Sequence, residues 1–157
     1  MIRADRQVND RNEILEIMRG CDALHLAFTD GDYPYVIPMN FGFEDRDGQL
    51  TIYLHGAKEG KKHELMRKNP HVAFSMSRAH EMIAGKVPCA STFKYESVCG
   101  RGVIEVVGGD ERMHALTVIM RQYDHAQEHV FSEKHAAAVT LLKITVEELT
   151  GKRRFRK

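Results

Sequence analysis

Apolar and polar positions alternate with a period of two in several segments, which is the pattern of strands that bury one face. In the segment from Thr51 to His55, for example, Ile52 and Leu54 fall on one face while Thr51, Tyr53 and His55 fall on the other. The pattern predicts strands over residues 21–29, 33–43, 51–55, 71–77, 91–107 and 138–146. Asp30-Gly31-Asp32 joins the first two as a hairpin.

Three segments instead follow helical spacing. The first has a capping-box pattern, Asp10 followed by Glu13, before an apolar face of Ile14, Leu15, Ile17 and Met18, and it stops at Gly20. The second opens at Gly60 and ends before Pro70. The third is capped by residues 108–110 and repeats Met113, Leu116, Met120 and Tyr123. We expect residues 78–89 to form a loop. We also expect residues 150–154 to form a basic segment that follows the last strand and is not part of it.

These elements predict one α+β domain over residues 1–157 that is mainly β and barrel-like, with mostly antiparallel strands and peripheral helices. Pro34 and Pro38 cannot donate ladder hydrogen bonds, so their strand is expected at an edge or locally interrupted. Gly100 and Gly102 predict a bend in the long strand over residues 91–107.

Composition narrows the classes of protein that remain. The 157 residues are 43% hydrophobic and 29% charged with a net charge of +1, which gives no overall field for nucleic acid. No apolar run approaches the roughly 20 residues that span a bilayer, so no membrane segment is expected. The three cysteines stand in unrelated contexts, which indicates free thiols in a reducing compartment and predicts a cytoplasmic protein. The basic tail from Lys152 is expected to be a solvated terminus.

A basic corner is predicted where the strand ending at His55 and Gly56 meets the helix at Gly60. Backbone N–H groups, a helix N-terminus and the lysines at 58, 61 and 62 would meet there, an arrangement that holds phosphate. A solvated basic helix face explains the same residues, and both interpretations stay open. His55 is likewise either a ligand contact or proton donor, or a strand-end histidine that bonds a loop.

The proline-containing strand carries a second candidate site. Pro38 leaves a strand carbonyl without a partner, and the Asn40 side chain can both donate and accept, which suits the edge of a flavin or a similar heterocycle. An edge strand protected from aggregation is the other interpretation. His125, His129 and His135 do not complete a metal site, so no metal is expected. Haem remains conceivable, with His55 and His25 as axial ligands.

Five segments, spread over nearly the whole chain, occur in the same order as in a known family. They are YVIPMNFGF (35–43), LHGAKEGKK (54–62), NPHVAF (69–74), YESVCGRG (95–102) and ITVEELTGK (144–152). Together they resemble the pyridoxamine 5′-phosphate oxidase-like flavoproteins, most closely the nitroimidazole-reductase branch. The resemblance implies a split β-barrel that forms a homodimer with FMN at the subunit interface.

The resemblance also implies roles for individual residues. It places the stretch Ile37, Pro38, Met39 and Asn40 against the isoalloxazine ring. It lines the FMN with His55, Gly56 and Ala57, and it puts Ser97 near the flavin. It sets Lys61 at the phosphate, with Lys62 as a second candidate there. His55 matches the histidine implicated in the reaction of the nitroimidazole branch. Gly60 departs from the arginine that the true oxidases use, and their C-terminal arginine motif has no match, so pyridoxamine phosphate is not the expected substrate.

Two hypotheses about function follow from this resemblance. The first is an FMN-dependent oxidoreductase that reduces a small organic acceptor such as a nitroimidazole. A nicotinamide donor, NAD(P)H, would bind only transiently, because the chain has no dinucleotide-binding glycine fingerprint. The second is a carrier or sensor that binds flavin or haem without turnover.

Overall fold

The computed structural model describes residues 4–124 and 131–154. Within them the chain forms eight strands and four α-helices, besides single 3₁₀ turns at Ala4–Arg6 and Pro88–Ala90. In chain order the elements are β1 Gln7–Val8, α1 Arg11–Arg19, β2 Leu24–Asp30, β3 Tyr33–Met39, β4 Phe41–Arg46, β5 Gln49–Gly56, α2 Lys61–Lys68, β6 His71–Ile83, β7 Thr92–Val106, α3 Glu111–Tyr123, α4 Glu133–Ala138 and β8 Thr140–Arg154.

The strands form one sheet in the order β3-β2-β6-β7-β8-β5-β4, with β1 paired to β8. Every paired set of strands is antiparallel. Strands β3 and β4 lie at opposite ends of this order, yet only Asn40 separates them in the chain. One residue can join the two ends only if the sheet curls round on itself. The predicted mainly-β split barrel with peripheral helices is therefore confirmed, and β3 is an edge strand, as its prolines predict.

Two clusters of buried side chains fill the structure. The larger lies inside the barrel and receives the predicted face of α1, together with Leu65 of α2. The smaller lies between α3 and the outer face of the sheet, where Ala115, Val118 and Ile119 pack against Tyr53 and Leu141. The face predicted for α3 is therefore wrong in part, since Met113 and Tyr123 lie on its exposed side.

Helix α3 lies unusually close to strand β4. A Cβ atom at Gly42 would overlap the backbone carbonyl of Val118. Glycine thus permits a backbone-to-backbone approach that any larger residue would push apart. This contact fixes α3 against the end of the barrel where β3 passes into β4.

Two segments predicted to be irregular are strands. Strand β6 continues to Ile83, past a bulge between Arg78 and Glu81 where Ala79 has a φ of 58°. The predicted loop over residues 78–89 is therefore wrong for its first half. Strand β8 continues to Arg154, so the prediction that residues 150–154 lie beyond the last strand is also wrong. The bend predicted at Gly100 to Gly102 is confirmed as a register shift between Arg101 and Gly102 in the pairing of β7 with β8.

The predicted N-cap of α1 is confirmed, because the Asp10 carboxylate accepts a hydrogen bond of 3.0 Å from the Glu13 amide. The Glu13 carboxylate instead binds Arg153 at 2.6 Å. Arg153 also binds Glu96, which binds Arg78 at 2.6 Å. Burial raises the pKa of Glu96, but hydrogen bonds from Arg153 and Arg78 outweigh it and hold this pKa below its ordinary value. This ion-pair network joins α1 to β6, β7 and β8.

Three further observations bear on the sequence-based expectations. All three cysteines are free, with Cys21 buried and Cys89 and Cys99 exposed. Among the described residues no helix has the length and apolar content needed to cross a bilayer. The described residues also contain no cluster of three metal-binding side chains. The histidines at 125 and 129 lie outside the described residues, as does the side chain at 135.

Candidate functional site

The loop between β5 and α2 forms the predicted basic corner. Strand β5 ends at Gly56 and α2 begins at Lys61, with Gly60 as its N-cap and no side-chain hydrogen bond at that cap. The amides of His63 and Glu64 bond to the Gly60 carbonyl. The amides that precede them in the first turn have no acceptor within the helix. The helix thus opens with N–H groups directed at the loop.

The backbone carbonyl of Ala57 anchors the start of α2. It accepts hydrogen bonds from Lys62 Nζ at 3.3 Å and from His63 Nε2 at 2.7 Å. Since a carbonyl can only accept, Nε2 of His63 carries the proton. His63 is buried, with 5% of its surface exposed, so this bond is shielded from water. The sequence does not reveal the role of His63, because a histidine within a run of basic residues gives no sign that it faces the core.

Gly56 brings three elements together. A Cβ atom there would lie 2.9 Å from Lys62 Cε, 3.0 Å from Lys62 Nζ and 3.7 Å from Met39 Cε. The end of β3, the end of β5 and the start of α2 therefore meet at this glycine. His55 precedes it on β5, is exposed, and lies opposite Leu141 of β8. Of the residues predicted for the site, Met39, Gly56 and Lys62 therefore meet at this contact, and His55 and Ala57 flank Gly56 in the chain.

The other residues predicted for the ring lie along β3. Ile37 and Met39 are half-buried and pack against the main core, while Pro38 between them is exposed. Pro38 lies opposite His25 of β2, which is also exposed. His25 and His55, the two conceivable haem ligands, lie on strands that are not neighbours in the sheet.

Lys61 contacts strands β2 and β3. Its ammonium forms an ion pair with Asp30, the last residue of β2, and lies 5.1 Å from the centre of the Tyr35 ring. The hydrogen bond to Asp30 raises the pKa of Lys61. The two adjacent lysines thus have different partners: Lys61 binds a carboxylate, whereas Lys62 binds a neutral carbonyl.

Asn40, which links β3 to β4, is held by its side-chain amide. Its Nδ2 donates to the Asp22 carbonyl at 3.2 Å and to the Tyr123 hydroxyl at 3.2 Å. The same hydroxyl accepts from the Phe41 amide at 2.9 Å and donates to the Asp22 carbonyl at 2.8 Å. Tyr123, the last residue of α3, is thus a contact of the candidate site that the sequence analysis did not identify.

Ser97 does not join this group within one chain. It lies on β7, where it is opposite Ser77 of β6 and Lys152 of β8. Strand β7 is three strands from β3 in the sheet order, which corresponds to roughly 14 Å across the sheet. Its predicted place near the flavin stays a prediction.

A polar cluster fastens α3 beside the site. The buried Tyr53 hydroxyl donates to Glu111 at 3.0 Å and contacts Glu44 at 3.3 Å, and Glu111 also binds Lys143 at 2.8 Å. Burial, followed by the hydrogen bond to Glu111, raises the pKa of Tyr53. His114 completes the cluster through Glu44 at 3.0 Å. These bonds hold α3 in place, and with it Tyr123 at its end.

A cavity of about 550 Å³ lies elsewhere, around the β2–β3 turn. Its walls include Asp32, Tyr33, His71 and Arg101, and none of the predicted site residues lines it. The candidate site around Gly56 is instead an open surface in a single chain, because His55, Ala57 and Asn40 are all exposed.

Comparison with known proteins identifies the family. The family model described as pyridoxamine 5′-phosphate oxidase matches residues 10–153. No curated protein matches. A solved structure of a candidate 5-nitroimidazole antibiotic resistance protein from Bacteroides thetaiotaomicron is 34% identical, with a TM-score of 0.80 over 93% of this chain and 85% of that one.

More distant structures share the fold alone. The FAD and heme binding protein from Mycobacterium smegmatis is 18% identical, with a TM-score of 0.80 over 96% of this chain and 74% of that one. The flavocytochrome Anf3 from Azotobacter vinelandii is 16% identical, with a TM-score of 0.76 over 96% of this chain and 70% of that one.

Proposed function

Because the chain belongs to the pyridoxamine 5′-phosphate oxidase family, we propose that it is an FMN-dependent oxidoreductase that reduces a small organic acceptor such as a nitroimidazole. The 34% identity to a candidate nitroimidazole resistance protein supports the acceptor class. The observation that carries the proposal is the meeting of Met39, Gly56 and Lys62, which sets an apolar side chain beside a cationic helix start.

The residues at this meeting point fit a phosphate. The start of α2 supplies backbone N–H groups that have no acceptor within the helix, together with the positive end of the helix dipole. Lys62 adds an ammonium group that now bonds only weakly, at 3.3 Å, to the neutral Ala57 carbonyl. His63 holds that carbonyl from the buried side, so the loop keeps its shape when Lys62 turns to a ligand.

The residues on β3 fit a flat heterocycle. Ile37 and Met39 offer half-buried apolar surface, and Asn40 offers a polar group at the end of the strand. FMN would supply the electron transfer when bound, and the chain's own residues would bind it, orient the acceptor and limit water. His55, exposed beside Gly56, would position the acceptor or donate a proton to it. A nicotinamide would serve as the electron donor and bind only transiently.

A homodimer is part of this proposal. In a single chain the candidate site is open, whereas binding pockets bury most of their ligand. A second copy of the chain would cover the exposed surface around His55 and Ala57 and would bring its own Ser97 toward the flavin. The test is the molar mass in solution, with and without FMN, by light scattering.

The absorption spectrum of the freshly purified protein tests the cofactor. We expect flavin bands near those of free FMN, or, for protein purified without cofactor, saturable binding of added FMN. Anaerobic addition of NADH or NADPH should then bleach the bands, and a nitroimidazole should restore them. Protein that is colourless and does not bind added FMN would refute the proposal.

The second candidate is a flavin or haem carrier without turnover. The exposed histidines at 25 and 55 are the observation in its favour, since an exposed imidazole is able to bind an added haem. The same spectra separate the candidates. A Soret band indicates haem, and bound flavin that neither NADH nor NADPH bleaches indicates a flavin carrier.

A further inference from the structure

The orientation of the Asn40 amide follows from its neighbours. The carbonyl oxygen of Asp22 can only accept a hydrogen bond, and it lies 3.2 Å from one end of the Asn40 amide. That end must therefore be the NH₂ group, whichever way the amide would otherwise turn.

The Tyr123 hydroxyl reinforces this orientation. It donates to the Asp22 carbonyl at 2.8 Å, so its two acceptor positions receive the Phe41 amide at 2.9 Å and Asn40 Nδ2 at 3.2 Å. A phenol hydroxyl has one proton and two lone pairs, so all three of its positions are used. Turning the Asn40 amide over would place its oxygen against the Asp22 carbonyl and would break both of its bonds.

The end of α3 is itself held firmly. Gln122 precedes Tyr123, and its Nε2 lies 3.0–3.1 Å from the backbone carbonyls of Met18, Arg19 and Cys21, which share its two N–H donors. These carbonyls lie at or just beyond the end of α1, where the regular hydrogen bonds from amides four residues later come to an end. Gln122 and Tyr123 thus tie the end of α1 and the link between β3 and β4 to one helix end.

With Nδ2 engaged, only the Oδ1 atom of Asn40 remains for a ligand. Asn40 is exposed, and among residues 4–124 and 131–154 nothing donates a hydrogen bond to Oδ1. The sequence left open whether Asn40 donates or accepts. The structure leaves it as an acceptor only.

We propose that Asn40 Oδ1, oriented by Tyr123, is the specificity-determining acceptor of this site and selects a ring that presents an N–H group. This inference rests on the proposed function. In an oxidised isoalloxazine the one ring N–H is at N3, between two carbonyl groups that can only accept. Asn40 would therefore recognise the N3 edge of the flavin and would not bond to its carbonyl oxygens. Tyr123 is the positioning residue, because it acts through Asn40.

The test compares FMN with its N3-methyl analogue, which has lost the donor. The dissociation constants are measured by flavin fluorescence for the wild type, Asn40→Leu, Tyr123→Phe and the control Tyr33→Phe, whose side chain is 81% exposed. Leucine keeps the approximate size of asparagine but cannot accept. We expect the wild type and the control to bind the analogue about 3- to 10-fold more weakly than FMN, the scale of one neutral hydrogen bond. The dissociation constant of the analogue divided by that of FMN should fall to about 1 in Asn40→Leu. In Tyr123→Phe this ratio should lie between 1 and the wild-type value.

A readout without flavin tests the orientation itself. In ¹⁵N NMR spectra of the flavin-free protein, the Phe41 amide and the Asn40 side-chain amide should exchange with solvent about tenfold faster in Tyr123→Phe than in the control. Unchanged exchange at both groups overturns the positioning role of Tyr123. If Asn40→Leu still binds the N3-methyl analogue more weakly than FMN, the methyl effect is steric and the proposed role of Asn40 is wrong. As long as the protein binds FMN in that experiment, the proposed function itself still stands. If the wild type binds neither flavin, the proposed function fails, and the inference about its ligand fails with it.

Discussion

Replacing Lys62 by alanine should weaken FMN binding far more than replacing Lys61. In the structure the Lys61 ammonium is paired with the Asp30 carboxylate and lies over the Tyr35 ring. Among residues 4–124 and 131–154, Lys62 donates only to the neutral Ala57 carbonyl. A phosphate would have to compete with a carboxylate for Lys61 but only with a carbonyl for Lys62. The family resemblance favours Lys61, so this prediction departs from what the resemblance implies.

The magnitude follows from the hydrogen bond that would be lost. A hydrogen bond between an ammonium and a phosphate contributes about 1.5–3 kcal/mol. Its removal in Lys62→Ala corresponds to an increase of about 10- to 150-fold in the dissociation constant. Lys61 is half-exposed and already neutralised by Asp30, so its charge is screened from the loop. We expect Lys61→Ala to change the dissociation constant by about threefold or less.

The assay is a titration of cofactor-free protein with FMN, followed by the quenching of flavin fluorescence. Lys68→Ala is the matched control, since Lys68 is exposed and lies in the last turn of α2, at the far end from the loop. Thermal unfolding of each variant without FMN checks that the fold is intact. The slope of affinity against salt concentration should fall in Lys62→Ala and stay unchanged in the control, because the lost contact is ionic.

Asp30→Asn supplies the opposite test, because it removes the carboxylate that holds Lys61. If Lys62 is the phosphate ligand, this variant should bind FMN within about threefold of the wild type. The reasoning is wrong if Asp30→Asn tightens FMN binding while Lys62→Ala leaves it unchanged. That result would identify Lys61 as the phosphate ligand, restrained by Asp30 in the free protein.

Three further variants test other parts of the structure. His55→Ala should retain FMN but slow the single-turnover reduction of the acceptor by about 10²-fold or more, the scale of a lost proton donor; equal rates would exclude a chemical role. Glu96→Gln should lower the free energy of unfolding in urea at pH 7 by about 1–3 kcal/mol, because it removes the partly buried carboxylate that Arg153 and Arg78 share, while Arg153 keeps Glu13. The pKa of Glu96 is held below its ordinary value of 4.5. The ionised carboxylate therefore contributes its full stabilisation above pH 4.5, and this stabilisation is lost as the pH falls through the lowered pKa. The wild type should therefore lose stability below about pH 4.5 more steeply than the variant, and parallel curves would contradict this. Gly42→Ala should lower the free energy of unfolding by about 1–3 kcal/mol, since its methyl group would meet the Val118 carbonyl. An unchanged urea midpoint would show that α3 moves aside freely.

Local patterns in the sequence predicted the elements that neighbouring residues stabilise. The start of α1 depends on a bond between Asp10 and the Glu13 amide, three residues apart, and the β2–β3 hairpin depends on the turn at Gly31. The apolar period of α1 likewise corresponds to the face it buries. Such features need no knowledge of distant residues, because the stabilising contact lies within one or two turns of chain.

Elements held by distant partners were predicted poorly. The second half of β6 is a strand because Glu81 pairs with Lys94, and the end of β8 is a strand because Lys152 pairs with Ser97 of β7. Neither segment alternates clearly, since most of these side chains are not buried on either face. Strand pairing satisfies their backbone groups regardless of that pattern, so periodicity alone does not reveal it.

The candidate site shows the same division. The sequence by itself determined which stretches carry it, residues 37–40 and 55–62, because their motifs and their family order are readable along the chain. Only the tertiary structure separated Lys61 from Lys62, buried His63 against the Ala57 carbonyl, and brought Tyr123 to Asn40 from 83 residues away. Each of these outcomes depends on how α2 and α3 pack across the curled sheet. That packing fixes which donor meets which acceptor, and with it the hydrogen bonds left for a ligand.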